Sequence, residues 1–336
     1  MKPDIDAGRY GFPGGHAPNS GLDALRWAAT RKPVRWPRWL DNPAPAPILP
    51  RVADAQVRAT FVNHATVLLQ LHGLNLLTDP VWARRVSPFP YAGPGRHRAP
   101  GIAFEDLPPI DAVLLSHGHY DHLCTRTLAR LQQAHAPRVI APLGHAALLK
   151  RRCGIEAVEL DWWQGATIGD ALEATLVPAR HWTARGLSDR NRALWGGFVL
   201  RSTHAPSSPG VYFAGDTGFG DGRHFELARE RLGPFALALL PIGAYEPRWF
   251  MAPQHMNPAE AVEAYRLLGA PASIAIHHGT FQLTDEAHDA PVQALAEALR
   301  AHGIDAGRFR ALGNGEAWQM TLDAPDTLGG RAPRDT

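Results

Sequence analysis

The chain has 336 residues, of which 45% are apolar and 20% charged, and its 34 basic and 32 acidic side chains leave a net charge of +2. This balance describes a folded globular protein and excludes both a largely disordered chain and the basic surface that nucleic-acid binding requires. The longest uncharged apolar stretch, around residues 235–243, is about half of what a bilayer-spanning helix needs, which excludes a membrane span.

Residues 1–52 are rich in Gly, Pro, Trp and Arg. The stretch RKPVRWPRWLDNPAPAPILP has no clean period. It is expected to be an irregular arm that packs on the body through Trp36 and Trp39, with Pro-rich extended spacing behind. From residue 53 to 323 a single α/β domain is expected. VRATFVN, TVLLQL and LNLLTD predict strands, the last two joined by a His72-Gly73 turn. Ala112–Ser116 predicts a buried strand, followed by a helix over 126–133, a strand over 138–141 and a helix over 143–151. Further strands are predicted at 172–178, 195–201, 211–214, 236–241 and 273–276. Asn257-Pro258-Ala259-Glu260 is a capping box with Pro at the first helical position. Its helix should run to Leu268, ahead of Gly269. Another should start after Asp289, with Pro291 in its first turn, and stop at Gly303. Residues 324–336 form a polar tail.

Two compositional features bear on chemistry. The only cysteines are Cys124 and Cys153, and the segment MKPDIDAGRYGF lacks the apolar core of a signal peptide. Both predict a reducing, cytoplasmic location. The 17 histidines are the unusual number, and they point to metal or acid–base chemistry.

The strongest signal is Ser116-His117-Gly118-His119-Tyr120-Asp121-His122, directly after the apolar strand. Histidines two apart in an extended loop turn their nitrogens toward one metal, and Asp121 and His122 then face a second position. Imidazole and carboxylate suit zinc and related divalent ions. More ligands must lie downstream. His181, Asp216 and His277 each follow a predicted strand, so all three could gather at one edge of a sheet core.

HGHYDH resembles the HxHxDH signature of the metallo-β-lactamase superfamily. The resemblance implies an αββα sandwich, two mixed β-sheets flanked by helices, with metals at one edge between the sheets. Within that superfamily, NHATVLL, LTDP, LPPIDAVLLSHGHYDHL, FAGDTGF, LPIGAYEPRWFM, QHMNPAEAV and AIHHGTF are similar to the phospholipases D that hydrolyse N-acylphosphatidylethanolamine. LPIGAYEPRWFM contains no metal ligand, so metal binding alone does not account for it. The resemblance implies two divalent ions, zinc before manganese or iron. His117, His119 and His181 would hold the first, Asp121, His122 and His277 the second, and Asp216 would bridge them together with a hydroxide that attacks phosphorus. Asp121 would also orient that hydroxide or take its proton. His255 resembles a position near the substrate phosphate, with a contact ahead of the Asn257 helix as its alternative role. Gln254 and Tyr120 are further substrate-binding candidates. His64 and Asp79 would support the metal loop from behind.

The expected activity is hydrolysis of N-acylphosphatidylethanolamine-like phospholipids to an N-acylethanolamine and a phosphatidic acid. The alternative is a metal-dependent lactonase or another ester hydrolase of the same superfamily. The partners implied are the phospholipid substrate, a reversible contact at the membrane surface and a second copy in a homodimer. A nucleic-acid partner is not expected.

Overall fold

The computed structural model describes residues 1–14, 19–89 and 91–322; the tail expected at 324–336 lies outside them. In chain order the elements are β1 (Asp4–Asp6), β2 (Arg9–Gly11), α1 (Gly21–Thr30), β3 (Gln56–Asn63), β4 (Thr66–Leu71), β5 (Leu74–Thr78), β6 (Ala112–Leu114), α2 (Thr125–His135), β7 (Arg138–Pro142), α3 (Ala146–Cys153) and β8 (Val158–Leu160). There follow β9 (Gly165–Ile168), β10 (Leu172–Val177), β11 (Gly197–Ser202), β12 (Gly210–Phe213), α4 (Arg223–Leu232), β13 (Phe235–Pro241), α5 (Arg248–Met251), α6 (Pro258–Leu268), β14 (Ala272–Ile276), α7 (Ala290–Ala301), β15 (Phe309–Arg310) and β16 (Ala317–Thr321).

Two seven-stranded sheets carry the fold, in the orders β16-β3-β4-β5-β6-β7-β8 and β9-β10-β11-β12-β13-β14-β15. Each begins with three antiparallel pairings. The run then turns parallel, from β5 to β8 in one sheet and from β12 to β15 in the other. Alternation along the strands explains the sandwich. Val57, Ala59 and Phe61 of β3 and Val67, Leu69 and Leu71 of β4 point inward, against Leu176, Phe198, Leu200, Phe213 and Leu239 of the other sheet. Leu68, Leu77, Val113 and Val139 point the other way, beneath Leu128 and Leu131 of α2 and Leu149 of α3. The outer face of the second sheet is covered by α4, α6 and α7 through Phe225, Val262, Tyr265, Leu295 and Leu299. This is the αββα sandwich.

Local chemistry fixes the punctuation. His72 and Gly73 both have positive φ, as the tight β4–β5 turn requires. The Asn257 Oδ1 accepts from the Glu260 N–H at 2.8 Å and Glu260 Oε2 accepts from the Asn257 N–H at 2.9 Å, closing the capping box at α6. The N-terminal segment is more ordered than its composition suggests. Ser20 and Asp23 form a second capping box, which starts α1. Trp27 on that helix stacks on Phe250 of α5, with ring centroids 5.2 Å apart. Trp36 is buried and donates to the Glu286 carbonyl at 2.9 Å, whereas Trp39 is 54% exposed.

Parallel strands lying side by side bring their C-terminal ends to one edge, and sites in α/β sheets form at such edges. Here the loops after β5, β6, β12 and β14 all meet at the seam between the two sheets.

Candidate metal centre

His117, His119, Asp121 and His122 lie on the loop from β6 to α2, while His181 follows β10, Asp216 follows β12 and His277 follows β14 directly. The structure brings all seven together. In the first group, His119 Nδ1 lies 2.9 Å from His117 Nε2 and 3.2 Å from His181 Nε2. In the second, the Nε2 atoms of His122 and His277 each lie 3.5 Å from Asp121 Oδ2 and 3.1 Å from Asp216 Oδ2. The same Asp216 oxygen is 3.9 Å from His117 Nε2 and 3.8 Å from His181 Nε2. One carboxylate therefore faces both groups.

These residues fit divalent cations. The Nε2 atoms of His122 and His277 and the Asp216 Oδ1 are buried without a hydrogen-bond partner. Leaving such atoms unpaired costs about 1–3 kcal/mol each. Cations seated among them would remove that cost, and a nitrogen-and-oxygen donor set suits zinc, manganese or iron(II). His117, His119 and His181 form one set able to hold a metal, and Asp121, His122 and His277 belong to another.

The electrostatics agree with this division. Burial, reinforced by the neighbouring histidines, holds His117 well below the usual imidazole range and His119 at about 3, and burial holds His181 at about 4. These three imidazoles are neutral and ready to ligate. Burial opposes charge on His122 and His277 too. Asp216, with Asp121, overrides it, raising His122 well above the usual range and His277 to about 9. Burial would raise Asp121 and Asp216, yet His122 and His277 hold both carboxyls well below the usual range.

A further layer of contacts fixes the ligands. Asp79, just past β5, is fully buried. Its Oδ2 accepts from Ser116 Oγ at 2.5 Å and from His122 Nδ1 at 2.6 Å, and its Oδ1 accepts from the Ser116 N–H at 2.7 Å. Ser116 Oγ also lies 2.9 Å from His117 Nδ1. Asp79 thus steadies one histidine of each group, the first through Ser116. His64 Nε2 is 3.1 Å from Asp121 Oδ2. His64, Asp79 and His277 all adopt positive φ, a strained backbone for these residue types that clusters at functional sites.

The remaining predicted residues divide. His255 Nδ1 lies 3.9 Å from Asp216 Oδ2 and has no hydrogen-bond partner, so the ring edges the centre. Gln254 contributes its backbone carbonyl, 3.0 Å from His181 Nδ1, while its side chain turns to Met251. Tyr120 lies on the other face of the metal loop, where its hydroxyl donates to the Arg185 carbonyl at 2.9 Å. Three contacts escaped the sequence reading. Ser116 links Asp79 to His117, Thr183 Oγ1 accepts from the Gly118 N–H at 2.9 Å, and Arg185 Nη1 donates to the carbonyls of Gly118 and Leu123 at 2.7 and 2.9 Å. The only available signal for the last two was their place just past His181.

Residues 74–278 match the beta-lactamase superfamily domain, and the chain belongs to that family. It is a metal-dependent hydrolase of the metallo-β-lactamase superfamily. The chain is 41% identical over 282 residues to N-acyl-phosphatidylethanolamine-hydrolyzing phospholipase D 1 of Caenorhabditis elegans, covering 80% of this chain and 77% of that one. It is 33% identical to the mitochondrial N-acyl-phosphatidylethanolamine-hydrolyzing phospholipase D of Saccharomyces cerevisiae, over 70% of this chain and 50% of that one. Among solved structures, a metallo hydrolase from Ignicoccus hospitalis superposes with a TM-score of 0.58 at 19% identity, over 80% of this chain and 100% of that one. No helix among the described residues is long and apolar enough to cross a membrane.

Proposed function

We propose that the chain is a binuclear phosphodiesterase of phospholipase D type, which hydrolyses N-acylphosphatidylethanolamine-like phospholipids to an N-acylethanolamine and a phosphatidic acid. The observation that carries the binuclear reading is the Asp216 carboxylate, whose Oδ2 stands 3.1 Å from His122 and His277 and 3.8–3.9 Å from His181 and His117. The similarity to the Caenorhabditis elegans phospholipase D supports the substrate.

In this reading His117, His119 and His181 would hold one ion, Asp121, His122 and His277 would hold the other, and Asp216 faces both groups. Two divalent ions, zinc by preference, would there supply charge stabilisation for the phosphoryl oxygens and make water acidic enough to attack at neutral pH. The protein's own groups do the rest. Asp121 is the most exposed of the carboxylates at the centre, its side chain 15% accessible, and His64 holds it in place. It would orient the attacking water and accept its proton, which passes to the ethanolamine oxygen as the P–O bond to that oxygen breaks. Burial keeps His255 well below the usual imidazole range. The ring therefore meets substrate neutral, and its N–H donates a hydrogen bond to a phosphoryl or leaving-group oxygen. The backbone carbonyl of Gln254 fixes the tautomer of His181.

The test is metal content and turnover on one preparation. Two ions per chain, with N-acylethanolamine released from N-acylphosphatidylethanolamine and no turnover of simple lactones, is the expected result. Two ions with lactone turnover and no lipid cleavage would overturn the substrate and leave the centre.

A further inference from the structure

The back of the metal loop faces a cavity of about 690 Å³ that contains none of the seven proposed metal ligands. Its wall carries Arg85, Arg126, Arg151, Arg152, Arg185 and Arg192. Arg85 and Arg185 are tied to backbone carbonyls. Arg126, Arg151, Arg152 and Arg192 make no salt bridge with any described residue, although the nearby pairs Lys150–Glu156 and Arg130–Glu105 do form. One carboxylate lines the cavity, that of Asp189, and it is engaged by the N–H groups of Arg185 and Gly186.

Two further features point to a ligand. Thr125 and Arg126, the first turn of α2, line the cavity, and that helix has no side-chain cap and no acidic residue in its first turn. Its amide groups and dipole favour an anion. His145 is buried to 2% exposure on the same wall. Its Nδ1 lies 2.9 Å from the Pro142 carbonyl, which can only accept, so Nδ1 carries the proton. The opposite nitrogen, Nε2, has no partner.

We infer that this cavity is a second binding site, separate from the metal centre, for a phosphate-bearing anion. Guanidinium groups match phosphate oxygens two at a time. The volume exceeds that of a bare phosphate, so the natural ligand is a phosphate ester, either a soluble one or the headgroup of an anionic lipid. The floor of the cavity is Gly118 and Tyr120, which alternate with the proposed ligands His117, His119 and Asp121, and Arg185 pins both Gly118 and Leu123. Occupancy is therefore felt by the metal loop. The inference requires nothing of the substrate proposed above.

The test is calorimetric titration of the full chain with inorganic phosphate and with glycerol 3-phosphate, and sedimentation with phosphatidylcholine vesicles with and without phosphatidic acid. Wild type, chelator-treated wild type and the triple variant Arg126→Gln/Arg151→Gln/Arg152→Gln are compared. The three arginines carry no ion pair, so the variant should keep its Tm. The expected result is binding that survives metal removal and weakens by about tenfold or more in the triple variant. Loss in the variant of soluble-ester binding identifies a soluble ligand. Loss only of binding to phosphatidic-acid vesicles identifies a lipid headgroup. Binding that disappears with the metals but is untouched in the triple variant would overturn the inference, as would no binding of any of these probes.

Discussion

Asp79 makes the sharpest demand on the structure. It touches no substrate, yet its Oδ2 takes hydrogen bonds from His122 and Ser116, and its Oδ1 takes one from the Ser116 amide. Asp79→Asn keeps the volume and has only one oxygen. If that oxygen faces His122 and the Ser116 hydroxyl, the new NH₂ group confronts the Ser116 N–H. If it faces the Ser116 amide, two donors lose their acceptor. Either arrangement leaves at least one buried donor opposed, and with the loss of a charged acceptor the cost is about 2–4 kcal/mol. Part of it appears as reduced stability and part as poorer metal binding, for which disturbing such an outer contact typically costs about 10–100-fold. Because Ser116 passes the contact to His117, both ions should weaken. Ser116→Ala should weaken only the ion held by His117. Titration against a competing chelator, monitored for both sites, measures this. Wild-type affinity at both sites in Asp79→Asn would refute the argument.

The other expectations concern the centre itself. Asp216→Asn should abolish turnover and lower the metal content below two per chain, as read by elemental analysis; full activity in this variant would remove the binuclear mechanism. His255→Ala should keep both metals and lose about 10²-fold or more in kcat/KM, the range for a positioned hydrogen-bonding or proton-transfer group; an unchanged rate would return His255 to a packing role. Metal-free protein should be most stable near pH 6.5. His277 is raised to about 9, so its contribution is complete below pH 6.5 and is lost as pH rises through 9; His181 and His119 are lowered to about 4 and 3, so theirs is complete above pH 6.5 and is lost as pH falls toward those values. Melting curves of chelator-treated protein across this range should fall on both sides, and a flat Tm between pH 6.5 and 9 would contradict the charge assignment at His277.

The sequence revealed β3–β7 and β10–β14 because each buries one face or both, whereas β1, β2, β8, β9, β15 and β16, short or only partly buried, were not predicted. AVLLS and FALALLP could not be anything exposed, and the β3–β5 segments alternate or run apolar as sandwich strands must. The ligand positions were legible for a related reason. His117, Asp216 and His277 stand where a buried strand has just ended, and few polar residues occur there without a task. What stayed hidden depends on direction rather than position. Tyr120 lies between two proposed ligands in sequence, but residues 118–122 form a tight turn rather than the extended loop expected, with the Leu123 N–H donating to the His119 carbonyl at 2.8 Å, and its ring went to the arginine cavity. Gln254 was read as a side chain and acts through its carbonyl. α1 was missed because its Ser20–Asp23 cap sits in a Gly- and Pro-rich neighbourhood, and α4 because RHFELARERL is strongly charged and buries little beyond His224, Phe225 and Ala228.

The repeated strand order of the two sheets has a consequence for how the centre comes into being. His117, His119, Asp121 and His122 belong to the half of the chain that builds the first sheet, and His181, Asp216 and His277 to the half that builds the second. Neither half holds a complete set for either proposed ion, so in the binuclear reading bound ions would rivet the seam. Each would add stability to the docked halves in proportion to the logarithm of its free concentration over its dissociation constant. The first sheet also waits for β16, which is drawn from the far end of the chain to pair with β3. A growing polypeptide thus cannot finish its first sheet before β16 has been made, nor complete the second proposed metal set before His277 has been.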